Sequence, residues 1–520
     1  MEMWLSKKIF NENFSLHLLC WVVLVLSIFA TFSNFDPFYH LMFSSDSVGL
    51  HVIYNDLFLN GGQVKDWIFA AAPTLFPDIF LYLVIRKCIA WDIINISMIY
   101  FFFQVLLATA SSTYLFSRVA PGQLKKYSWL IPLLFSTLFI ETYYFSHDIT
   151  FAFYISYFSY HGGSFINMII LLCIYFSPMR DFFKMIFLFL FTLVAIFSDM
   201  LFLVMVVPFM LTVLINIQFS NLLRSMLVFI LVLAGCILGY QLFEYLKTGG
   251  YATFLSVRIL NPDNAIPSLK VFLNEMYDFM KSPGFRSIHM LFTFLLIPYG
   301  FYFYAKNRRS EQKEFAVFFL LYSFFSLCVF SAPIVNGNFS GYDTLRYSIS
   351  PFYFSLLIIS FLIAFQLNKI SSRIKLKVVS FAIPTIFLGM ILFGFSFKGL
   401  KEFLHYKPEY AKEIDEAYSK YGLTRGIAEY WHAKKFTVFS DRGVKIESVY
   451  PDLNMHEILS NQSWYFESPY NFVIEDRLSR EEIRKEFVIE DTIQIRDLVI
   501  YKVKPFKFVR GKYKPVKIEP

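Results

Sequence analysis

The groups in this sequence best suited to chemistry are carboxylates set among apolar and aromatic residues. Asp36, Asp46, Asp56 and Asp66 all fall in a stretch from about Asn34 to Asp92. Within Ser45–Asp56 the apolar positions recur at helical spacing, so Asp46 sits at or near a helix N-terminus, where a carboxylate is favoured. That residue is either the cap of an interfacial helix or a reactive acid. A second segment, ETYYFSHDIT, places Glu141, His147 and Asp148 close together. Two loops that each bring a carboxylate to one surface can activate a hydroxyl or hold a divalent cation; solvated loop acids are the alternative. His161, in YHGG, reads as a loop residue rather than a ligand. A third segment, YDTLRYSISP, puts Arg346 at the start of an apolar run, where its planar fork suits a phosphate at headgroup depth or simply snorkels beside a tyrosine belt.

The elements that must position these groups are set by composition. Of 520 residues, 57% are hydrophobic, 20% aromatic and only 17% charged, well outside the range of soluble proteins. Apolar runs long enough for about 30 Å of hydrocarbon begin with Phe14–Thr31 and recur near Ile93, Tyr127, Ser164, Met185, Leu201, Ser225, Ser287, Glu314, Ser350 and Val378. The expected architecture is therefore a polytopic α-helical membrane protein of about eleven spans. The 66 Phe and 33 Tyr set against 21 Gly argue against a bundle zipped together by glycine. The five cysteines lie in or beside apolar segments without metal or redox spacing, which assigns them to packing. Trp67–Ile85 is ambiguous, because Pro73, Pro77 and Asp78 interrupt it; a helix lying in the interface or re-entering from one side would leave Asp78 in a polar environment.

The net charge of +8 divides by position. With the N-terminus inside and Trp67–Ile85 not crossing, the inner loops collect Arg118, Lys125, Lys126, Arg180, Lys184, Arg224, Lys306, Arg308, Arg309, Lys313, Lys369, Arg373, Lys375 and Lys377. The basic excess is then a topology signal rather than a nucleic-acid footprint, and the acids gather outside. Residues 1–397 form the membrane module, with a large first outer loop over 34–92. Residues 398–520 form a small outward α/β domain: helices over Pro408–Tyr421 and Leu423–Ala433, strands over Phe436–Phe439, Val444–Val449, Tyr470–Ile474 and Leu498–Val503, and a loose end from Lys504 to Pro520.

Together these segments resemble the GT-C superfamily of membrane glycosyltransferases, such as the protein mannosyltransferases and the lipid A aminoarabinose transferase. Asp46 in SSDSVGLHVIYNDLFLNGG matches the acidic position after the first span. VKDWIFAAAPTLFPDIFLYLVIRKC looks like the proline-containing interfacial helix, YFSHDITFAF like the second-loop motif, and LRYSISPFYF like the opening of a late span. Ser47 stands where a second acid is often seen, and no arginine precedes Asp148 in its loop. The resemblance implies a polyprenyl-phosphate-linked sugar donor and a lipid, glycan or protein acceptor, in the cytoplasmic (inner) membrane. It implies Asp46 as general base, Asp148 as a second acid that orients the acceptor or a metal, and Arg346, Tyr347, His147 and Glu141 around the substrate and its phosphate. A divalent cation, Mg or Mn, would be held by Asp46 and Asp148. The rival readings are a transporter or flippase of lipid-linked saccharide and a non-catalytic assembly protein.

Overall fold

The computed structural model describes residues 2–33, 42–69, 73–89, 91–144, 150–157, 161–215, 222–248, 253–254, 261–281, 285–310, 313–370, 373–456, 458–467, 469–511 and 514–518. Its first part is helical: α1 (Glu2–Ser33), α2 (Ser45–Tyr54), α3 (Phe80–Cys88), α4 (Ile93–Val119), α5 (Leu130–Tyr144), α6 (Thr150–Ser156), α7 (Gly162–Tyr175), α8 (Asp181–Ser198), α9 (Leu201–Ile215), α10 (Leu222–Thr248), α11 (Ala265–Lys281), α12 (Phe285–Asn307), α13 (Lys313–Val335), α14 (Ser350–Asn368) and α15 (Arg373–Gly394). Each apolar run expected from the sequence falls on a helix. Eight of these, α1, α4, α8, α10, α12, α13, α14 and α15, are long and apolar enough to cross a membrane. The chain is a multi-pass helical membrane protein. Helices α5, α7 and α9 have only 15, 14 and 15 residues, about 21–23 Å of rise. On the spans, Phe182, Phe183, Leu223, Ile374 and Phe393 are exposed, as side chains solvated by lipid would be.

Aromatic rings fill much of the space between spans. Phe116 of α4 stacks on Phe361 of α14 with centroids 4.3 Å apart. One contact departs from this rule and from the expectation set by the low glycine content. Gly235 and Gly239 of α10 meet α8 so closely that a Cβ would lie 2.8 Å from the Phe189 carbonyl oxygen and 2.6 Å from that of Leu193. A single small-xxx-small pair suffices to bring two backbones together, whatever the overall composition. All five cysteines are free thiols.

Trp67–Ile85 is not one helix. It begins as a strand, β1 (Trp67–Phe69), passes through a single π turn at Leu75–Ile79 and ends in α3, whose nine residues rise only about 14 Å and cannot cross. Asp78 does not meet water or headgroups: it is 2% exposed, and its polar surroundings are protein groups.

The C-terminal part adds α16 (Phe397–Leu404), α17 (Ala411–Tyr421), α18 (Tyr430–Phe439), α19 (Gln462–Phe466) and α20 (Arg480–Glu486). Its sheet consists of β3 (Arg425–Glu429), β4 (Lys445–Val449), β6 (Tyr470–Ile474), β7 (Ile489–Ile495), β8 (Leu498–Lys507) and β9 (Val516–Lys517), in the order β4-β3-β6-β8-β7 with β9 on β8. Strand β3 is parallel to β4 and β6, and β8 is antiparallel to β6 and β7. Two expectations fail here. The segment expected as a second helix contains β3, buried along its whole length, so both faces are covered and no alternation marks it as a strand. Phe436–Phe439, expected as a strand, closes α18, whose inner face packs on the sheet. The supposedly loose end continues β8 to Lys507 and adds β9.

A second, small sheet joins distant parts of the chain. β1 pairs in parallel with β2 (Thr253–Phe254) and antiparallel with β5 (Ser460–Asn461). Beside it Asp56, 5% exposed, accepts from Trp67 Nε1 at 2.7 Å and from Asn461 Nδ2 at 2.8 Å. The C-terminal unit is thereby fastened over the first long loop, and α18 packs on α2.

Candidate functional site

Between the helices and the C-terminal unit lies a cavity of about 1110 Å³. The helices contribute apolar Leu201, Leu203, Val204 and Phe243 but also Glu244 and Lys247; the C-terminal unit contributes the rings of Tyr430, Trp431, Tyr450 and His456. Asp46, His161, Asp199, Arg346 and Tyr347 reach it from four separate segments.

Asp46 owes its place to α2. Ser44, not Asp46, caps that helix, accepting from the Ser47 amide at 3.4 Å, which leaves the Asp46 carboxylate in the first turn to face the cavity. The Tyr430 hydroxyl donates to Asp46 Oδ1, and Ser45 Oγ donates to the Tyr430 carbonyl, so α2 and α18 are tied at this point. Arg346 Nη1 lies 4.0 Å from Asp46 Oδ2. The guanidinium also packs over the Tyr347 ring at 5.2 Å. Behind Tyr430, buried Lys434 sits 5.0 Å from the ring centroid and donates to the Ile458 carbonyl at 3.4 Å. Burial holds its ammonium down to about 7, against the pull of Asp46 and Glu447. His456 stacks on Tyr430 with centroids 4.2 Å apart and is pushed down to about 4 by burial and by Lys434, so it is neutral.

The second polar group belongs to His161 and Asp199. His161 takes a left-handed conformation (φ 63°) just before α7, and Asp199 fills the turn between α8 and α9. His161 Nδ1 and Asp199 Oδ2 are 2.8 Å apart, and Ser164 Oγ also donates to Asp199. Burial pushes the Asp199 carboxyl up, yet His161, Ser164 and the Leu201 amide together hold it below the usual carboxylate range. With Nδ1 engaged by Asp199, the His161 ring is held at the cavity lining, beside the Tyr347 ring at 4.9 Å. Asp78 lies behind this pair. It accepts from the Tyr100 hydroxyl at 2.7 Å and from Gln104 Nε2 at 2.9 Å. Burial raises it to about 6, with Asp199 adding to the rise. Gly163 is required here, since a Cβ would fall 2.5 Å from Asp78 Oδ2.

Of the residues expected from the sequence, Asp46, Arg346 and Tyr347 meet at one cavity. His147 and Asp148 lie outside the described residues. Glu141 is not in a loop: α5 runs on through Tyr144, leaving Glu141 buried within its last turn and away from the cavity lining. His161, read as a loop residue, is buried and paired, because Gly162 and Gly163 let its segment close onto neighbouring elements. Asp199, Tyr430 and Lys434 were not anticipated. A lone acid between two apolar runs, as in FSDMLF, is the signal that could have found Asp199.

Among the described residues, one further group could hold a cation: Glu429, His432 and Asp476, at the edge of the same cavity. No known protein-family model matches the chain, and no curated protein matches it.

Proposed function

We propose that this protein is a membrane glycosyltransferase that moves a sugar from a polyprenyl-phosphate donor to an acceptor hydroxyl, as its resemblance to the GT-C superfamily implies. The observation that carries the reading is the Asp46–Arg346 pair, 4.0 Å apart in a cavity whose lining combines apolar helix residues such as Leu201, Val204 and Phe243 with polar groups. A lipid-linked sugar needs such a place: its tail stays against apolar helices while its phosphate meets a fork of donors. In this scheme Arg346 binds the phosphate and His161, steadied by Asp199, contacts a further oxygen. Asp46 takes the proton of the acceptor hydroxyl as that oxygen bonds to the sugar carbon and the sugar–phosphate bond breaks with inversion. Tyr430 positions the carboxylate. The topology that suits this chemistry has about eleven spans, with the three short helices included, the N-terminus inside and the C-terminal unit outside the cytoplasmic membrane.

Replacement of Asp46 by Asn tests the proposal. Transfer of radiolabelled sugar from a polyprenyl-phosphate donor in membranes should fall by about 10²–10⁴-fold with expression unchanged. Full activity in the variant overturns the assignment. A second reading, a carrier of lipid-linked saccharide, is favoured by the enclosed acids Asp78 and Asp199, since transporters keep such groups among their helices. Movement of labelled lipid across vesicles with no transfer product would select it.

A further inference from the structure

We propose that Glu429, His432 and Asp476 form a binding site for a divalent cation of the zinc type. One atom from each residue lies within 4.8 Å of the others. The sheet topology explains why they meet. Glu429 ends β3, and Asp476 stands two residues beyond the end of β6, its parallel neighbour. From β3 the chain turns through α18 to β4 on one side; from β6 it goes by way of α20 to β7 and β8 on the other. The two connections part, and a crevice opens at the carboxyl ends of the strands, the place where sheets of this kind bind ligands. His432 enters from the first turn of α18, three residues after Glu429, and so shares its side of the helix start.

The surroundings are those of a ligand set held in position. The Trp431 amide donates to Glu429 Oε2 at 2.9 Å, fixing one carboxylate oxygen and leaving the other available. The His432 ring stacks on Phe436 with centroids 5.5 Å apart, which fixes its plane, and its Nδ1 is already against Asp476 Oδ2. Glu429 is buried, and His432 and Asp476 are half-buried beside it. Two carboxylates brought together at a partly buried place favour a positive partner. Arg477 and Lys435 are near enough to act at a distance, but among the described residues neither forms an ion pair with the trio. A dication between the three groups supplies the missing charge.

The donors choose the metal. One imidazole nitrogen with two carboxylates matches zinc with three protein ligands and a fourth position left open. Magnesium prefers an octahedron of oxygens and keeps its waters. Glu429 lines the cavity, so the open position lies where a hydroxyl or anionic group of a bound substrate could coordinate. The site does not depend on the glycosyltransferase reading.

The test uses the full chain in lipid nanodiscs, purified through a tag without histidine, stripped with chelator and titrated with Zn²⁺ or Mg²⁺. The wild type should retain about one zinc per chain after dialysis and unfold at a higher temperature with Zn²⁺ but not with Mg²⁺. His432→Gln and Asp476→Asn should each cut retained zinc by at least about fivefold while melting like the wild type without metal. Wild-type protein that retains no zinc and shows no thermal shift overturns the proposal. So does zinc retained equally by both variants. The wild-type titration decides the question even if a variant folds poorly, and sugar transfer enters neither outcome.

Discussion

Asn461 donates a hydrogen bond of 2.8 Å to Asp56 across 405 residues of chain. Trp67, fully buried, donates to the same oxygen, so one carboxylate joins the first long loop to the start of the second half of the C-terminal unit. The cavity lies between the parts that this acid holds together. Replacing Asp56 by Ala leaves two buried donors without an acceptor and should cost about 3 kcal/mol. Thermal unfolding in nanodiscs measures the loss. Limited proteolysis should cut the C-terminal unit faster in the variant, and an unchanged melt would refute the role.

Arg346 is expected to act through its fork. Arg346→Lys keeps the charge but loses two-oxygen binding, and should lower kcat/KM for a polyprenyl-phosphate sugar by about tenfold; Arg346→Ala should lower it by about a hundredfold. Most of the change should appear in KM for the donor. Equal activity of the Lys variant and the wild type would remove the phosphate from this residue.

His161 gives a test of orientation. Asp199→Asn should lower transfer by about tenfold by releasing the imidazole, and His161→Ala by about 10–100-fold. His161→Gln, which keeps a donor of similar reach, should retain more activity than the Ala variant. Identical losses in the Gln and Ala variants would mean that His161 serves packing alone.

Asp78 makes stability depend on pH. Its carboxyl is raised to about 6 in the folded protein from 3.8. The sign follows from linkage: the contribution is fully present below the unfolded value and is lost as pH rises through about 6. The loss is roughly 3 kcal/mol. Asp78→Asn, which can still accept from Tyr100, should flatten the fall in melting temperature between pH 4 and about 6. A variant with the same pH profile as the wild type would exclude Asp78 as its source.

The helices of the membrane part were legible because a run of apolar residues has to be helical once it leaves water, whichever neighbours it meets. Asp46, Arg346 and Tyr347 were legible as short polar interruptions beside such runs. Tyr430 was not: its link to Asp46 spans 384 residues, and no local pattern encodes a partner so distant. β3 and the last turn of α18 were misread for a related reason. RGIAE lies between two other strands and is buried on both faces, while Thr437 and Val438 sit in a helix despite their β-branched side chains, because the sheet beneath α18 decides. The partners that make the surroundings of Asp78 polar were not legible, because they come from α4, beyond the loop that carries it.

The small sheet takes its strands from Trp67–Phe69, Thr253–Phe254 and Ser460–Asn461. During synthesis the first of these leaves the ribosome long before the last, and Asp56 waits just as long for Asn461. The membrane helices can insert in turn, but one wall of the cavity does not exist until β5 has been translated. Shortened products of interrupted translation that stop before β5 would thus carry Asp46 and Arg346 without the wall that completes their pocket.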